Sequence, residues 1–357
     1  MKLAADLPTL NEAAIRLKKM LPTANTQPEL KCFLLAANKN TLELYASDGT
    51  TGLQIDLPAE VKEPGEALIL GEKFKTILNG LPGDKVELSL KDGETRLEVK
   101  QGRSKYKLDS LNPELFPLPP AMTETPIEIP GTAWKEALTC LYAVATDDSK
   151  GVLQGLRLLS TPDGIDVYGI NGHRMAMAGL PYDLPGLNCV IPGDVLKGLR
   201  FSEAPVFLTF DPAQISIRQD NWELVTRQMV GEYPPLRQMM ERLPKPPHRA
   251  RINRKEIVDA LKRLKAIARI VSLHFTTQSL TLEDRERTAT EEIDCFCTTT
   301  GTVKAQIKYL LECLEAVSGD VVEITFGRPT DPIRVEDLHF VHILSPIVSD
   351  QSVEEAA

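Results

Sequence analysis

Apolar and polar positions alternate most clearly over residues 152–181. The stretch reads as a strand over 152–159, a turn at Pro162-Asp163-Gly164 and a strand over 165–170. A second turn, Asn171-Gly172-His173-Arg174, leads into an apolar run over 175–180. Alternation around a glycine-containing turn is the signature of a β-hairpin. Weaker copies lie on either side. Leu42-Glu43-Leu44 is followed by Asp48-Gly49-Thr50 and a run over 53–58, and Leu280-Thr281-Leu282 by Arg285-Glu286-Arg287 and a run over 291–296.

The same landmarks frame each hairpin. A helical pattern precedes it at 11–20, 132–144 and 253–266, and a second follows at 71–79, 193–200 and 302–317. The first helix places Leu10, Ala14, Leu17 and Leu21 on one apolar face. Strands then recur at Val86-Glu87-Leu88, Val206-Phe207-Leu208 and Val322-Glu323-Ile324, and again at Leu97-Glu98-Val99, Ile215-Ser216-Ile217 and Ile333-Arg334-Val335. The copies are offset by 116 to 120 residues, the size of a domain rather than of a solenoid unit. The pattern predicts an α+β chain of three like domains at 1–120, 125–244 and 250–350. Proline-rich links punctuate it, at Phe116-Pro117-Leu118-Pro119-Pro120 and at 243–247. The acidic tail at 351–357 is expected to stay disordered.

Hydrophobic content of 42% and charged content of 25% are ordinary for a soluble globular protein. No apolar run reaches membrane length and no signal peptide is visible, so a cytoplasmic location is expected. Cys295 and Cys297 alternate on one strand face without a second pair, which favours reduced, buried thiols over a zinc site. His173 has no nucleophile or carboxylate partner at a catalytic spacing, and residues 80–85 lack the form of a phosphate loop. No catalytic residue, metal or cofactor is expected. The net charge of −9 argues against nucleic acid until its distribution is considered. The six helical windows hold 15 Lys or Arg against 8 Asp or Glu, while the remainder holds 26 against 42. Basic helices sharing one side of an acidic body would hold a polyanion there and repel it elsewhere.

Several motifs carry a family resemblance. They are Ser104-Lys105-Tyr106-Lys107-Leu108 with Phe116-Pro117, Ala145-Thr146-Asp147-Asp148, Leu153-Gln154-Gly155, Asn171-Gly172-His173-Arg174-Met175-Ala176 and Tyr233-Pro234-Pro235-Leu236-Arg237. With these the whole chain resembles the bacterial sliding clamps, the beta-subunit family of DNA polymerase III. The resemblance implies three repeated DNA-clamp domains, each with two helices packed on antiparallel sheets, assembled head to tail as a homodimeric ring. Such a ring encircles duplex DNA without reading its sequence and tethers the replicative polymerase as a processivity factor. It also docks short peptides of polymerase subunits, the clamp loader and repair factors. The implied peptide groove, between the second and third domains, is Leu153, Ile170, Gly172, His173, Arg174, Met175, Pro234, Gln238, Met239, Pro332, Ile343, Leu344, Ser345, Pro346 and Ile347. In it, Arg174 and His173 are expected to hold peptide oxygens. The implied DNA contacts are Gln27, Lys150, Arg16, Lys73, Lys197 and Lys262, and the implied ring seam is Tyr106, Leu108 and Ile267.

This chain departs from the family's pattern in places. Gln27-Pro28 stands where an Arg often precedes the proline, Gly151-Val152 replaces paired aromatics, and Ser345-Pro346-Ile347-Val348 replaces a Met-Pro-Met-Arg-Leu-like end. The connection at 265–271 is also shorter. A variant clamp with its own polymerase fits these departures. Two rival readings remain open on sequence. One is a clamp-like peptide-binding scaffold that closes no ring, and the other is an enzyme with a titrating His173.

Overall fold

A computed structural model describes residues 1–22, 27–119, 122–337 and 340–348. The tail at 351–357 and Pro120 lie outside the described residues. One order of elements occurs three times. The first set is β1 (Lys2–Asp6), α1 (Leu7–Lys18), β2 (Cys32–Asn38), β3 (Thr41–Ser47), β4 (Thr51–Glu63), β5 (Gly65–Leu70), α2 (Gly71–Gly80), β6 (Lys85–Ser89), β7 (Arg96–Gln101) and β8 (Ser104–Leu111). The second is β9 (Ile127–Ile129), α3 (Gly131–Leu138), β10 (Gly155–Thr161), β11 (Gly164–Ile170), β12 (Arg174–Leu180), β13 (Asn188–Pro192), α4 (Gly193–Gly198), β14 (Val206–Phe210), β15 (Gln214–Gln219) and β16 (Trp222–Arg227). A short helix, α5 (Leu236–Arg242), follows. The third is β17 (His248–Asn253), α6 (Arg254–Lys265), β18 (Ile270–Phe275), β19 (Ser279–Asp284), β20 (Thr290–Cys297), β21 (Gly301–Gln306), α7 (Ile307–Ala316), β22 (Val321–Phe326), β23 (Ile333–Asp337) and β24 (Phe340–Leu344).

Local chemistry explains the helix starts. Asp6 caps α1 by accepting from the Thr9 amide at 3.0 Å, and Asn253 caps α6 by accepting from the Glu256 amide at 3.2 Å. Leu10, Ala14 and Leu17 are buried as the spacing predicts, but Leu21 falls past the helix end and is only half-buried. Apart from shifted helix ends, three segments differ from the sequence pattern. Residues 302–306 are strand, because Val303 and Ala305 alternate inward while the backbone pairs with β18. The pattern at 132–144 splits into α3 and a 3-10 turn over Thr139–Ala143. Residues 152–154 close a second 3-10 turn, Asp148–Gln154, and the strand begins at Gly155. A side chain at Gly155 would meet Val190 Cγ1 at 2.3 Å, so close packing against β13 requires glycine there.

The described chain divides into two compact units. The first comprises Met1–Gly131 with Gly198–Gln228, and the second Thr132–Lys197 with Met229–Ala357. In the first, antiparallel strands run in the order β1-β6-β7-β8-β5-β2-β3-β4-β16-β15-β14-β9, and β1 also pairs with β4. In the second the order is β13-β10-β11-β12-β24-β23-β22-β17-β20-β19-β18-β21. Helices α1 and α2 pack together, as do α6 and α7. Each pair carries an ion pair, Lys18–Glu72 at 3.0 Å and Lys262–Glu315 at 2.9 Å. The third set buries Leu261, Leu264, Leu310, Leu314, Ile324 and Val335 in one core, with Phe275 stacked on Phe326 at 4.2 Å.

Candidate functional site

The Asn171 turn is built by its own side chain. Asn171 Oδ1 accepts from the amides of His173 at 3.0 Å and Arg174 at 3.1 Å, and Gly172 takes φ +92°. An asparagine that closes on the backbone two and three residues on is an Asx turn, and the positive φ selects glycine. The turn delivers β12 to β24, pairing Arg174 with Leu344 and Met175 with Ile343.

Beside this turn an apolar cluster joins Ile170, Met175, Ile343, Tyr168, Val190, Tyr233 and Leu236, with Val152, Leu153, Met177, Met229, Met240 and Leu243 packed against it. Helix α5 forms one wall. Arg237 clamps it to β11 through a bidentate pair on Asp166, with Nε at 2.9 Å and Nη2 at 3.1 Å. That bond raises the Arg237 pKa further. The Tyr233 hydroxyl donates to the Tyr168 carbonyl at 3.2 Å, and Arg334 Nη2 donates to the Met240 carbonyl at 3.4 Å. Gln238 and Met239 are exposed on the outer face of α5, and Pro234 is half-buried.

Of the sequence-predicted groove residues, Leu153, Ile170, Met175 and Ile343 come together in this cluster. Gly172 and Ser345 are exposed beside it, and the Ser345 amide donates to the His173 carbonyl at 2.8 Å. Leu344 instead packs into the core of the third set. Pro332 and Pro346 are half-buried, and Ile347 is held through its amide on the Lys304 carbonyl at 3.3 Å. The sequence reading missed Tyr168, Val152, Met177 and Met240. Met177 was legible as the next inward position after Met175.

The Arg174 guanidinium, expected to hold peptide oxygens, has partners inside the fold. Arg174 is only 7% exposed. It donates to the Glu312 carboxylate and the Tyr142 carbonyl, and lies over the rings of Tyr142 at 4.8 Å and Tyr309 at 4.5 Å. His173 stacks on Tyr309 at 5.9 Å. Behind them Tyr142 Oη meets His342 Nδ1 at 2.8 Å, and burial pushes the Cys313 thiol up to about 12. This network positions the turn beside the apolar cluster.

The predicted DNA contacts divide similarly. Lys73, Lys150, Lys197 and Gln27 are exposed. Partial burial and then the neighbouring Arg174 charge hold the Lys197 pKa down. Lys262 is exposed but paired with Glu315. Arg16 is partly buried with its guanidinium over Trp222 at 5.6 Å, and burial lowers its pKa, so it is committed to packing α1. With the observed boundaries Lys19, Arg200 and Lys304 fall outside the helices, so the basic excess there is smaller than the windows suggested.

Of the predicted seam residues, Tyr106 and Leu108 lie on strand β8 and Ile267 in the turn after α6. Strand β8 pairs with β5 only at Ser110 and Leu111, which leaves residues 104–109 of that edge unpaired among the described residues. Tyr106 there is 43% exposed, whereas Leu108 is 7% exposed and packs into its own unit. Strand β20 pairs with β17 only at 295–297, leaving 290–294 of that edge open. Ile267 is 62% exposed, and Phe296, which the sequence reading missed, is 71% exposed. Among the described residues no group of His, Cys, Asp and Glu has a metal-binding arrangement, and no helix is long and apolar enough to cross a membrane.

Residues 1–120 match the family model of the DNA polymerase III beta subunit, N-terminal domain. The chain is 25% identical to the beta sliding clamp of Synechococcus elongatus over 375 residues, covering 96% of this chain and 97% of that protein. It is 24% identical to the beta sliding clamp of Staphylococcus epidermidis over 352 residues, covering 90% and 92%. Its fold is similar to the crystal structure of the DNA polymerase beta subunit from Streptococcus pyogenes, with TM-score 0.89, 20% identity and coverage of 98% and 100%. The DNA polymerase sliding clamp of Bacillus subtilis gives TM-score 0.88 at 20% identity, covering 98% and 99%.

Proposed function

We propose that this chain, a member of the DNA polymerase III beta-subunit family by its first 120 residues and by its likeness to beta sliding clamps along its length, is a DNA sliding clamp. That family is a non-enzymatic processivity factor, so the activity is enclosure and docking rather than catalysis. The clamp domains are 1–120, 125–244 and 250–350, followed by the tail at 351–357.

The observation that carries the reading is the pattern of filled and open strand edges. β16 covers the open half of β4, and β24 covers the equivalent half of β12. Among the described residues the equivalent half of β20 has no such partner, and β8, which corresponds to β16 and β24, has an unused edge. A second copy satisfies both needs at once. Its β8 pairs with β20 of the first chain and the reverse, so two heterologous contacts close a ring and fill both of these edges. Charge suits the pairing. Lys105 and Lys107 are exposed on β8, and Glu292 and Asp294 on β20. Tyr106, Phe296 and Ile267 supply apolar burial at the seam. Leu108 steadies β8 from beneath.

Within the ring Lys73, Lys150, Lys197, Lys262 and Gln27 contact phosphates loosely, which allows sliding and asks nothing of sequence. The cluster around Met175 and α5 receives apolar anchors of short peptides from polymerase subunits, the clamp loader and repair factors. Methionines there suit several partners. Tethering raises the effective concentration of polymerase at the primer end. The protein works in the cytoplasm as a homodimer.

Light scattering on a dilution series, with retention on nicked circular DNA, tests this. A mass of twice 39.5 kDa and retention that is lost when the circle is cut are expected. A monomer at every concentration, never retained with a loader present, would leave a peptide-binding scaffold of the same fold as the better reading.

A further inference from the structure

The first hairpin repeats the turn that shapes the peptide groove. Asp48 Oδ1 accepts from the amides of Thr50 and Thr51, both at 2.7 Å, and Gly49 takes φ +93°. In register with that turn, Tyr45, Ser47, Gly52 and Gln54 stand where the second hairpin has Tyr168, Ile170, Met175 and Met177. Strand β16 lies along β4 as β24 lies along β12. In the first unit this arrangement encloses a recess of about 490 Å³. Ser47, Gly52, Phe116, Pro119, Phe207 and Glu223 are among the residues that bound it. A volume of that size suits a ligand of one or two side chains.

Its chemistry differs from that of the groove. The Tyr45 hydroxyl donates to Glu43 Oε2 at 2.7 Å, and Ser216 donates to the Glu223 carboxylate. Gln54 Nε2 donates to Asp56 Oδ1 at 2.8 Å. Burial, with Glu43 and Glu223 nearby, raises the Asp56 pKa. Arg218, the basic residue among those lining the recess, sits opposite Glu223 in the β15–β16 ladder and stacks over Phe207 at 5.1 Å. The recess therefore combines an apolar cover, Phe116, Leu118 and Pro119, with two lining carboxylates, Glu124 and Glu223, against Arg218.

We propose that this recess is a second peptide-binding site, for a segment with a lysine or arginine beside an apolar residue. The cation meets Glu223, with Glu124 the other carboxylate on the lining. The apolar residue packs on Phe116 and Pro119. The site shares no residue with the groove at Met175, so it stands whether or not the clamp reading does.

Calorimetric titration of the full chain with acetylated, amidated Leu-Arg-Phe-Leu and with Leu-Glu-Phe-Leu tests it. The arginine peptide is expected to bind at least tenfold more tightly. Glu223→Gln, nearly isosteric, is expected to weaken it at least fivefold. Gly52→Met is expected to abolish binding by filling the recess, since a Cβ at Gly52 reaches Pro119 at 3.7 Å without collision. Equal binding of the two peptides, parent-like binding by both variants, or no saturable binding would overturn the proposal. So would loss of binding on Met175→Ala instead, which would assign the peptide to the groove.

Discussion

Arg174 shows how one side chain decides what a turn can do. Its guanidinium holds Glu312 and the Tyr142 carbonyl beneath two tyrosine rings, away from solvent. Removing it leaves the Tyr142 carbonyl and a half-buried carboxylate without their partner. Arg174→Ala should therefore cost about 2 kcal/mol in urea unfolding, in the range for losing hydrogen bonds to a charged group. Met175 acts differently, since it offers apolar surface to the cluster. Met175→Ala should weaken binding of a polymerase-tail peptide about tenfold by calorimetry, the order expected for losing most of one apolar contact. Its dimer mass should not change.

At the scale of elements, turns and edges matter most. The β19–β20 turn is tied by Asp284, which accepts from the Ala289 amide at 2.8 Å and the Thr288 hydroxyl at 2.9 Å. These bonds hold its pKa below the ordinary 3.8. A lowered carboxylate pKa contributes stability that is present above the ordinary value and lost as pH falls through the folded one. Asp284→Asn should lower the urea midpoint at neutral pH, and its gap from the parent should close as pH drops below 3.8. The β8 and β20 edges make a separate prediction. Ile267→Ser with Phe296→Ser removes two exposed apolar groups without touching a core, so the fold should persist while light scattering falls toward the 39.5 kDa monomer.

For the whole molecule the relevant quantity is salt dependence. On the proposed function, a ring with few phosphate contacts should leave linear DNA readily, and its binding should depend on salt only through exposed lysines. Lys73→Glu with Lys262→Glu should lower the slope of log affinity against log salt by about 2, read by anisotropy on a short duplex. An unchanged slope would remove both lysines from the DNA path. Retention on circular DNA should survive better than affinity for the short duplex, because topology holds the ring after contacts weaken.

The threefold order of elements was legible in sequence because period-2 and helical spacing report locally which face is buried. The Asn171 turn was legible for a similar reason, since an asparagine followed by glycine closes on its own backbone. The burial of Leu10, Ala14 and Leu17 follows from their spacing alone. The strand at 301–306 did not show, because a short run with Val303 and Ala305 fits either period until β18 lies beside it. Nor did the fate of Arg174, Arg16 and Leu344, which depends on Glu312, Trp222 and a core assembled from distant segments. The recess at Gly52 likewise needed β16 and residues 116–119 to be brought against β4. Local pattern determined the elements and their order, whereas distant strands meeting in space decided which charges are spent inside the fold and which edges and cavities stay open.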